Sequence, residues 1–438
     1  MMIEVADVGM SCNKLQFRLR YSKPLRKYFL NDTFFVEYDS HIDLGNVDES
    51  ILVIPIVSMI VPIAWAVGAD VRLRKLDQTY LQSLNKIKDI FRAFYPSFSF
   101  SSSLEIEDLV LNQSGGDRTG LLFSGGVDCT TSYVRHRDEK PDLISIWGTD
   151  HRLHEEARWN RLRSGIRWLA NRDGVTALEV KTDISCINML LLGYEFGFSW
   201  YSEVAHGLML LGLCAPVTVA RTIGSLLIAA SFYEGEETRP WGSLPSTDNN
   251  VSWANVTVSH DGYELSRQQK LKYVSNIEPE RFSHLWVCQI DPRANCVNCE
   301  KCFRTITGLA LEGIDPRNCN FNIDMKVFAR IKDLLLSGKM PVASSERDEW
   351  IDIQRHIPGK IEDDICGSRE FFTWFRQFDL SKQTGSKIKV SLWHYRLEFS
   401  RIWRDLKDCR KVELIKWLVL LARCYLYTAF ARVRKWLF

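Results

Sequence analysis

The sequence lacks an excess of charge of either sign. Its 56 Lys and Arg stand against 54 Asp and Glu, a formal net charge of +2 over 438 residues. That balance removes any global electrostatic argument for nucleic acid and leaves only a local patch open. Internal repeats are absent, so nothing points to a repeat architecture. Low-complexity sequence is confined to the Ser run at Ser101 to Ser103. An export signal is missing too. "MMIEVADVGMSCNKLQF" has neither a basic start nor an apolar core before a small-residue cleavage site. The 12 cysteines are scattered, apart from one cluster near position 300. A disulfide framework is therefore not expected. The expectation is a reduced, cytoplasmic, bacterial-type protein with a metal site.

One long uncharged run exists, Ile51 to Ala69, "ILVIPIVSMIVPIAWAVGA", just long enough to span a bilayer. Pro55 and Pro62 interrupt it, its first part is β-branched, and Gly68 looks like a helix end. This predicts a buried strand followed by a short core helix rather than a transmembrane span.

What is present is an ordinary globular composition, 46% hydrophobic and 25% charged, long enough for two or three domains. The first part reads as α+β. Gln16 to Tyr21, Phe34 to Tyr38 and "DVRLRKLD" have strand character. Leu81, Leu84, Ile87, Ile90 and Phe91 then recur at helical spacing until Pro96. A Ser-rich stretch follows, then an edge-strand pattern. From Gly120 the sequence alternates strand, Gly turn and helix through "TGLLF", "DLISIWGTD", "VTALEVKTD" and "SLLIAASF". Such alternation predicts an α/β fold with a doubly wound parallel sheet, whose ligands sit at the carboxyl ends of strands near the switch point. From Ile314 onward the chain reads as helical and rich in aromatics. The expected regions are 1–117, 118–320 and 321–438.

Ser-Gly-Gly occurs twice, at Ser114 and at Ser124, each with an Asp close behind. The first copy precedes a strand and follows another, which suits a hairpin turn. The second lies between an apolar strand and a helix start. There, turn amides and the helix N-terminus converge on an anion, the glycines admit phosphate oxygens closely, and Asp128 falls in the first turn. No Gly-Lys-Ser/Thr follows, so this is not a Walker loop.

The run Ser124, Gly125, Gly126, Val127, Asp128 resembles the Ser-Gly-Gly-x-Asp-Ser loop of the N-type ATP pyrophosphatases, with Cys129 where that pattern has its final serine. The resemblance implies a HUP-like sheet, ATP and Mg²⁺, and cleavage of ATP between the α and β phosphates. It makes Ser124, Gly125, Gly126, Val127 and Asp128 nucleotide contacts. Thr130 or Thr131 would replace the missing hydroxyl. Trp147, with Gly148, Thr149 and Asp150, ends a strand where a doubly wound fold borders adenine and ribose, or is a plain strand-end turn.

"CQIDPRANCVNCEKC" places Cys288, Cys296, Cys299 and Cys302 at spacings x7, x2, x2. Four thiolates so spaced can close a tetrahedron on Zn²⁺, and Lys301 and Arg304 would balance their charge. An iron–sulfur cluster is the rival, since C-x2-C-x2-C also occurs in ferredoxins. Their next cysteine would fall at Ile306. Together, the Gly loop and this cluster some 160 residues later look like the 7-cyano-7-deazaguanine synthases. In that family a carboxylated deazapurine is activated by ATP and aminated by ammonia. The resemblance covers about Gly120 to Asp315. It implies a structural zinc, a role for Lys270 of "ELSRQQKLKYV" against the departing pyrophosphate, and a base contact for which Asp248 is the clear residue. Similar proteins with altered ends occur in anti-phage operons and act on a protein partner. The expected partner is therefore a deazapurine-like small molecule or a protein. Two other readings stay open. One is a tRNA-sulfurating relative with an iron–sulfur cluster. The other is a non-catalytic scaffold in which Cys129 marks a decayed loop.

His206, and His260 with Asp261, have acid–base chemistry but read as structural histidines. Arg221 beside Thr222 has an anion-binding or a capping reading. In the tail, Lys416, Arg423 and Arg434 fall on one stripe of an otherwise apolar helix. Such a helix packs on its own core, or docks on a protein or an anionic membrane surface. Aromatics between Trp374 and Trp403 read as core rather than as base-stacking platforms, so nucleic acid is not indicated.

Overall fold

The computed structural model describes residues 1–383, apart from 115, 184–186, 237–239, 289, 292, 341 and 343. The strands are β1 (Met2–Ser11), β2 (Lys14–Tyr21), β3 (Thr33–Tyr38), β4 (Asp70–Asp77), β5 (Leu104–Val110), β6 (Arg118–Leu122), β7 (Asp142–Trp147), β8 (Ala177–Thr182), β9 (Ile223–Ala229), β10 (Ser252–Trp253) and β11 (Val256–Asp261). All belong to one 11-stranded sheet, ordered β10-β11-β9-β6-β7-β8-β3-β2-β1-β4-β5.

The strands β8-β7-β6-β9-β11 are mutually parallel. From β6 the chain walks outward through β7 to β8, then returns to place β9 on the other flank of β6. The strand order therefore reverses between β6 and β9, the crevice where open α/β sheets bind ligands. The helices that cover this part are α4 (Val127–Arg135), α5 (Glu156–Asp173), α7 (His206–Ala220) and α9 (Arg267–Ile277). The expected α/β class with a mostly parallel sheet is present.

The N-terminal strands extend the same sheet. β3 joins β8 antiparallel, with Val36 opposite Thr182, and β4 and β5 run parallel at the far edge. Position 117 thus marks a change of pattern but no break in the sheet. β1 escaped the sequence reading because its pairing with β2 shifts between Val5 and Asp7, which breaks the alternation of buried and exposed residues.

Ile51 to Ala69 corrects the expected strand and helix. It forms two helices, α1 (Glu49–Leu52) and α2 (Ile54–Val67), before α3 (Gln78–Phe94). Asp48 caps α1 by accepting from the Ser50 amide at 2.8 Å, and Pro55 sits in the first turn of α2, where its missing N–H is harmless. The β-branched residues are buried all round, so packing decides over intrinsic propensity. α2 lies against α7 so closely that a Cβ on Gly212 would stand 2.3 Å from Ser58 Oγ. Gly68 does end α2 in the left-handed conformation. Among the described residues, Trp200–Ala220 is long and apolar enough to cross a membrane, but 72% of its most apolar stretch is buried inside the protein. It comprises a π-helical turn at Trp200–Ala205 followed by α7, and comes after α6 (Met189–Phe196).

The first Ser-Gly-Gly copy is not a hairpin. β5 is the sheet edge and β6 is interior, so the segment crosses the sheet instead of joining neighbours. It is held on the way by the Ser114 amide, which donates to Ala254 O at 3.1 Å.

After α8 (Pro245–Asp248) and α9 come α10 (Glu300–Leu311), α11 (Val327–Leu336), α12 (Ser344–Arg355) and α13 (Ser368–Phe375). Phe328, Trp350, Phe371, Phe372 and Phe375 build a second core with α10. Trp374 is partly buried and packs on Phe371 and Phe378, while the aromatics from Trp393 to Trp403 lie outside the described residues. The basic stripe of Lys416, Arg423 and Arg434 lies outside the described residues.

Candidate active site

The Gly loop leaves the carboxyl end of β6, at the strand-order reversal. Gly125 has φ +73°, in the left-handed region, and a Cβ there would stand 2.9 Å from Leu162 Cδ1. Gly126 is extended and caps α4. Gly125 is thus required by the turn and by close packing, whereas a Cβ on Gly126 would make only ordinary contacts, 3.7 Å from Ser124 Oγ and 3.9 Å from Trp286 O. The Ser124 amide donates to Cys129 Sγ at 3.4 Å, and the Cys129 thiol donates to Gly126 O at 3.3 Å. Cys129 is therefore folded into the loop and braces it. Burial, first of all, raises its pKa. Thr130 is buried, and Thr131 donates to Val127 O within its own helix.

Asp128 points from the first turn of α4 into a group of cations. Arg267 Nη1 lies 3.1 Å and Lys270 Nζ 3.4 Å from its carboxylate. Lys270 also donates to Ala230 O at 2.6 Å, just past the end of β9. Burial by itself raises the Asp128 pKa, but the charges of Lys270, Arg267 and Lys301 outweigh it and hold the carboxyl below its ordinary value. Lys270 shows the opposite balance. Its side chain is 3% exposed, and desolvation lowers its pKa despite Asp128. Lys301 is likewise lowered by burial and by the neighbouring Arg267 and Arg304. Three cations, Lys270, Arg267 and Lys301, therefore act on one carboxylate beside the amides of the loop. Such an array binds a polyanion and neutralises charge as it develops.

The four cysteines also come together. Their sulfurs all lie within 4.8 Å of one another, with Cys296 and Cys302 at 3.9 Å. A tetrahedral site with Zn–S of ~2.3 Å has S–S edges of about 3.8 Å. The cluster can hold a metal ion. Hydrogen bonds from the thiols of Cys296, Cys299 and Cys302, then from the Asp291 amide, push the Cys288 thiol well below its usual range. Asn295 closes the knuckle, accepting from the amides of Val287 and Cys288 and donating to Leu285 O and Asn320 O. The segment bearing Cys288 is irregular, not a strand. The Trp286 amide donates to Gly125 O at 2.8 Å, which ties the knuckle to the Gly loop.

Three expected roles change. Lys301 and Arg304 do not face the thiols. At ~100° per residue, position 304 projects almost opposite Cys302 on α10. Arg304 instead pairs with Glu300 at 2.9 Å and with Glu349. Asp248 is fully buried. Its Oδ2 accepts from Ser243 at 2.6 Å and meets His260 Nδ1 at 2.8 Å, so it does not present a purine-binding edge. Trp147 stacks on Trp159 at 5.5 Å and donates to Arg152 O, so its ring belongs to the core at the strand end. Arg221 pairs with Asp142 at 3.0 Å, away from the Gly loop, and Asp261 meets Arg135 and His136.

Arg267 and Glu349 escaped the sequence reading. Arg267 had a usable signal: it precedes Lys270 by three residues, so both share a face of α9. Glu349 had none, because only the tertiary fold brings α12 to α9. No known protein family, characterised protein or solved structure matches this chain.

Proposed function

We propose that this chain is an ATP-dependent adenylating enzyme. It converts ATP to AMP and pyrophosphate to activate a carbonyl or carboxylate oxygen for attack by a nitrogen nucleophile. The observation that carries the reading is the convergence of Gly loop, helix N-terminus and the cations Arg267, Lys270 and Lys301 at the strand-order reversal. In this reading the amides of Gly125 to Val127 hold phosphate oxygens. Lys270 and Arg267 counter the charge on the departing pyrophosphate, a task for preorganised cations.

Phosphate would compete with Asp128 for these cations and release its carboxylate toward Mg²⁺, which neutralises the triphosphate. Zinc in the four-cysteine knuckle would brace the wall of the site without taking part in the chemistry. The resemblance to 7-cyano-7-deazaguanine synthases supports an acceptor of deazapurine type or a protein acceptor.

The test is product analysis with α-³²P and γ-³²P ATP. The expected products are labelled AMP and labelled pyrophosphate, both lost in the Ser124→Ala, Asp128→Ala double variant. Release of inorganic phosphate alone, or intact turnover in that variant, defeats the proposal.

A further inference from the structure

Helix α12 lies beyond the stretch that carries the motifs, yet it reaches the Gly loop in two steps. Glu349 Oε2 stands 3.3 Å from Arg267 Nε, while Nη1 of the same guanidinium meets Asp128 at 3.1 Å. Glu349 also pairs with Arg304, which pairs in turn with Glu300. One turn along α12, Asp352 accepts from the Gln268 amide at 3.0 Å and so holds the start of α9. These groups are sheltered: side-chain exposure is 13% for Arg267, 20% for Glu349 and 6% for Arg304.

An arginine side chain has many rotamers, and ordering it costs entropy. Opposite charges on two sides of one guanidinium restrain it: Nη1 hydrogen-bonds Asp128 at 3.1 Å, while Glu349 attracts the charge from 3.3 Å without a hydrogen bond to Nε. Arg267 has Asp128 on the loop side and Glu349 on the α12 side. Without Glu349, Arg267 would keep only the partner with which a phosphate competes. Arg304 would lose one of its two carboxylates in a buried setting, which is costly.

We infer that Glu349 is a positioning residue for phosphate binding. It holds Arg267 toward the Gly loop, so α12 is a structural part of the anion site. The inference rests on reading that loop as a phosphate site, but not on adenylation chemistry. Loss of one sheltered ion pair of this kind corresponds to about a tenfold change in affinity.

The experiment is calorimetric titration of the full chain with inorganic pyrophosphate and, separately, with Mg·ATP. Glu349→Gln is expected to weaken pyrophosphate binding about tenfold, and Glu349→Asp to recover part of it. Ile353→Ala loosens the packing of α12 and serves as the control. It should lower the melting temperature and leave pyrophosphate affinity unchanged. Glu349→Gln binding as tightly as wild type overturns the inference. So does an equal loss of affinity in Ile353→Ala, since Glu349 would then act only by stabilising the helix. Wild type that binds pyrophosphate in a Glu349-dependent way but does not bind ATP supports the inference and removes the adenylation reading. Wild type that binds neither removes both.

Discussion

Replacing Asp128 by Asn tests the central ion pair. The substitution keeps size and shape and removes one charge. Lys270 then keeps the hydrogen bond to the Ala230 carbonyl at 2.6 Å and the more distant charge of Asp261, with its ammonium 3% exposed. Removing one partner of a fully buried pair costs about 3–5 kcal/mol. The Asp128 side chain is 24% exposed and Arg267 retains Glu349, which scales the loss to about 2 kcal/mol. Lys270→Met removes the other charge. The double variant leaves no stranded ammonium, so its cost should fall short of the sum of the singles by about 1 kcal/mol or more. The pH dependence has a defined sign. The folded pKa of Asp128 is depressed, so its contribution is present above the unfolded carboxylate pKa. It fades as pH falls through the lower folded value, and the deficit of Asp128→Asn should shrink there. Urea unfolding followed by tryptophan fluorescence at pH 7 and under acid measures all of this. Additive single variants, or an Asp128→Asn stability within about 0.5 kcal/mol of wild type, would refute the reasoning.

Glu236, 8% exposed, has its carboxyl pushed by burial up to about 7. Its folded pKa exceeds the unfolded one, so stability should fall as pH rises from the ordinary glutamate range to about 7 and stay flat above. Glu236→Gln should remove up to ~3 kcal/mol of that dependence, and equal pH 5 to pH 8 differences in melting temperature for both proteins would disprove it. Cys299→Ser should abolish metal binding, seen as loss of zinc per chain by elemental analysis. Chelator should lower the melting temperature of wild type and leave the variant unmoved. A variant that keeps a full equivalent of zinc would show that the cluster is not its site.

The alternation from β6 to β9 and the Gly turn after Phe123 were legible because they are local. A strand, two glycines and a capped helix occupy adjacent residues, and their periodicity needs no partner. The four-cysteine spacing was legible for the same reason. Apolar runs were less so. Ile51 to Ala69 carries strand-like residues, and only its burial between the sheet and α7 makes a helix of it. Asp248 and Trp147 had suitable chemistry and the wrong surroundings. The partners that hide them, His260, Ser243 and Trp159, arrive from other elements.

By itself, then, the sequence determined which residues form the loop, the knuckle and the parallel strands. Those features depend on backbone conformation and short-range spacing. Only the tertiary structure decided that one sheet runs through the N-terminal region and that Cys129 braces its own loop. It alone turned Lys301 and Arg304 away from the thiols and brought Glu349 from α12 to Arg267. Charge pairing and burial depend on distances across the fold, and those are set by how side chains and segments pack once the chain has folded.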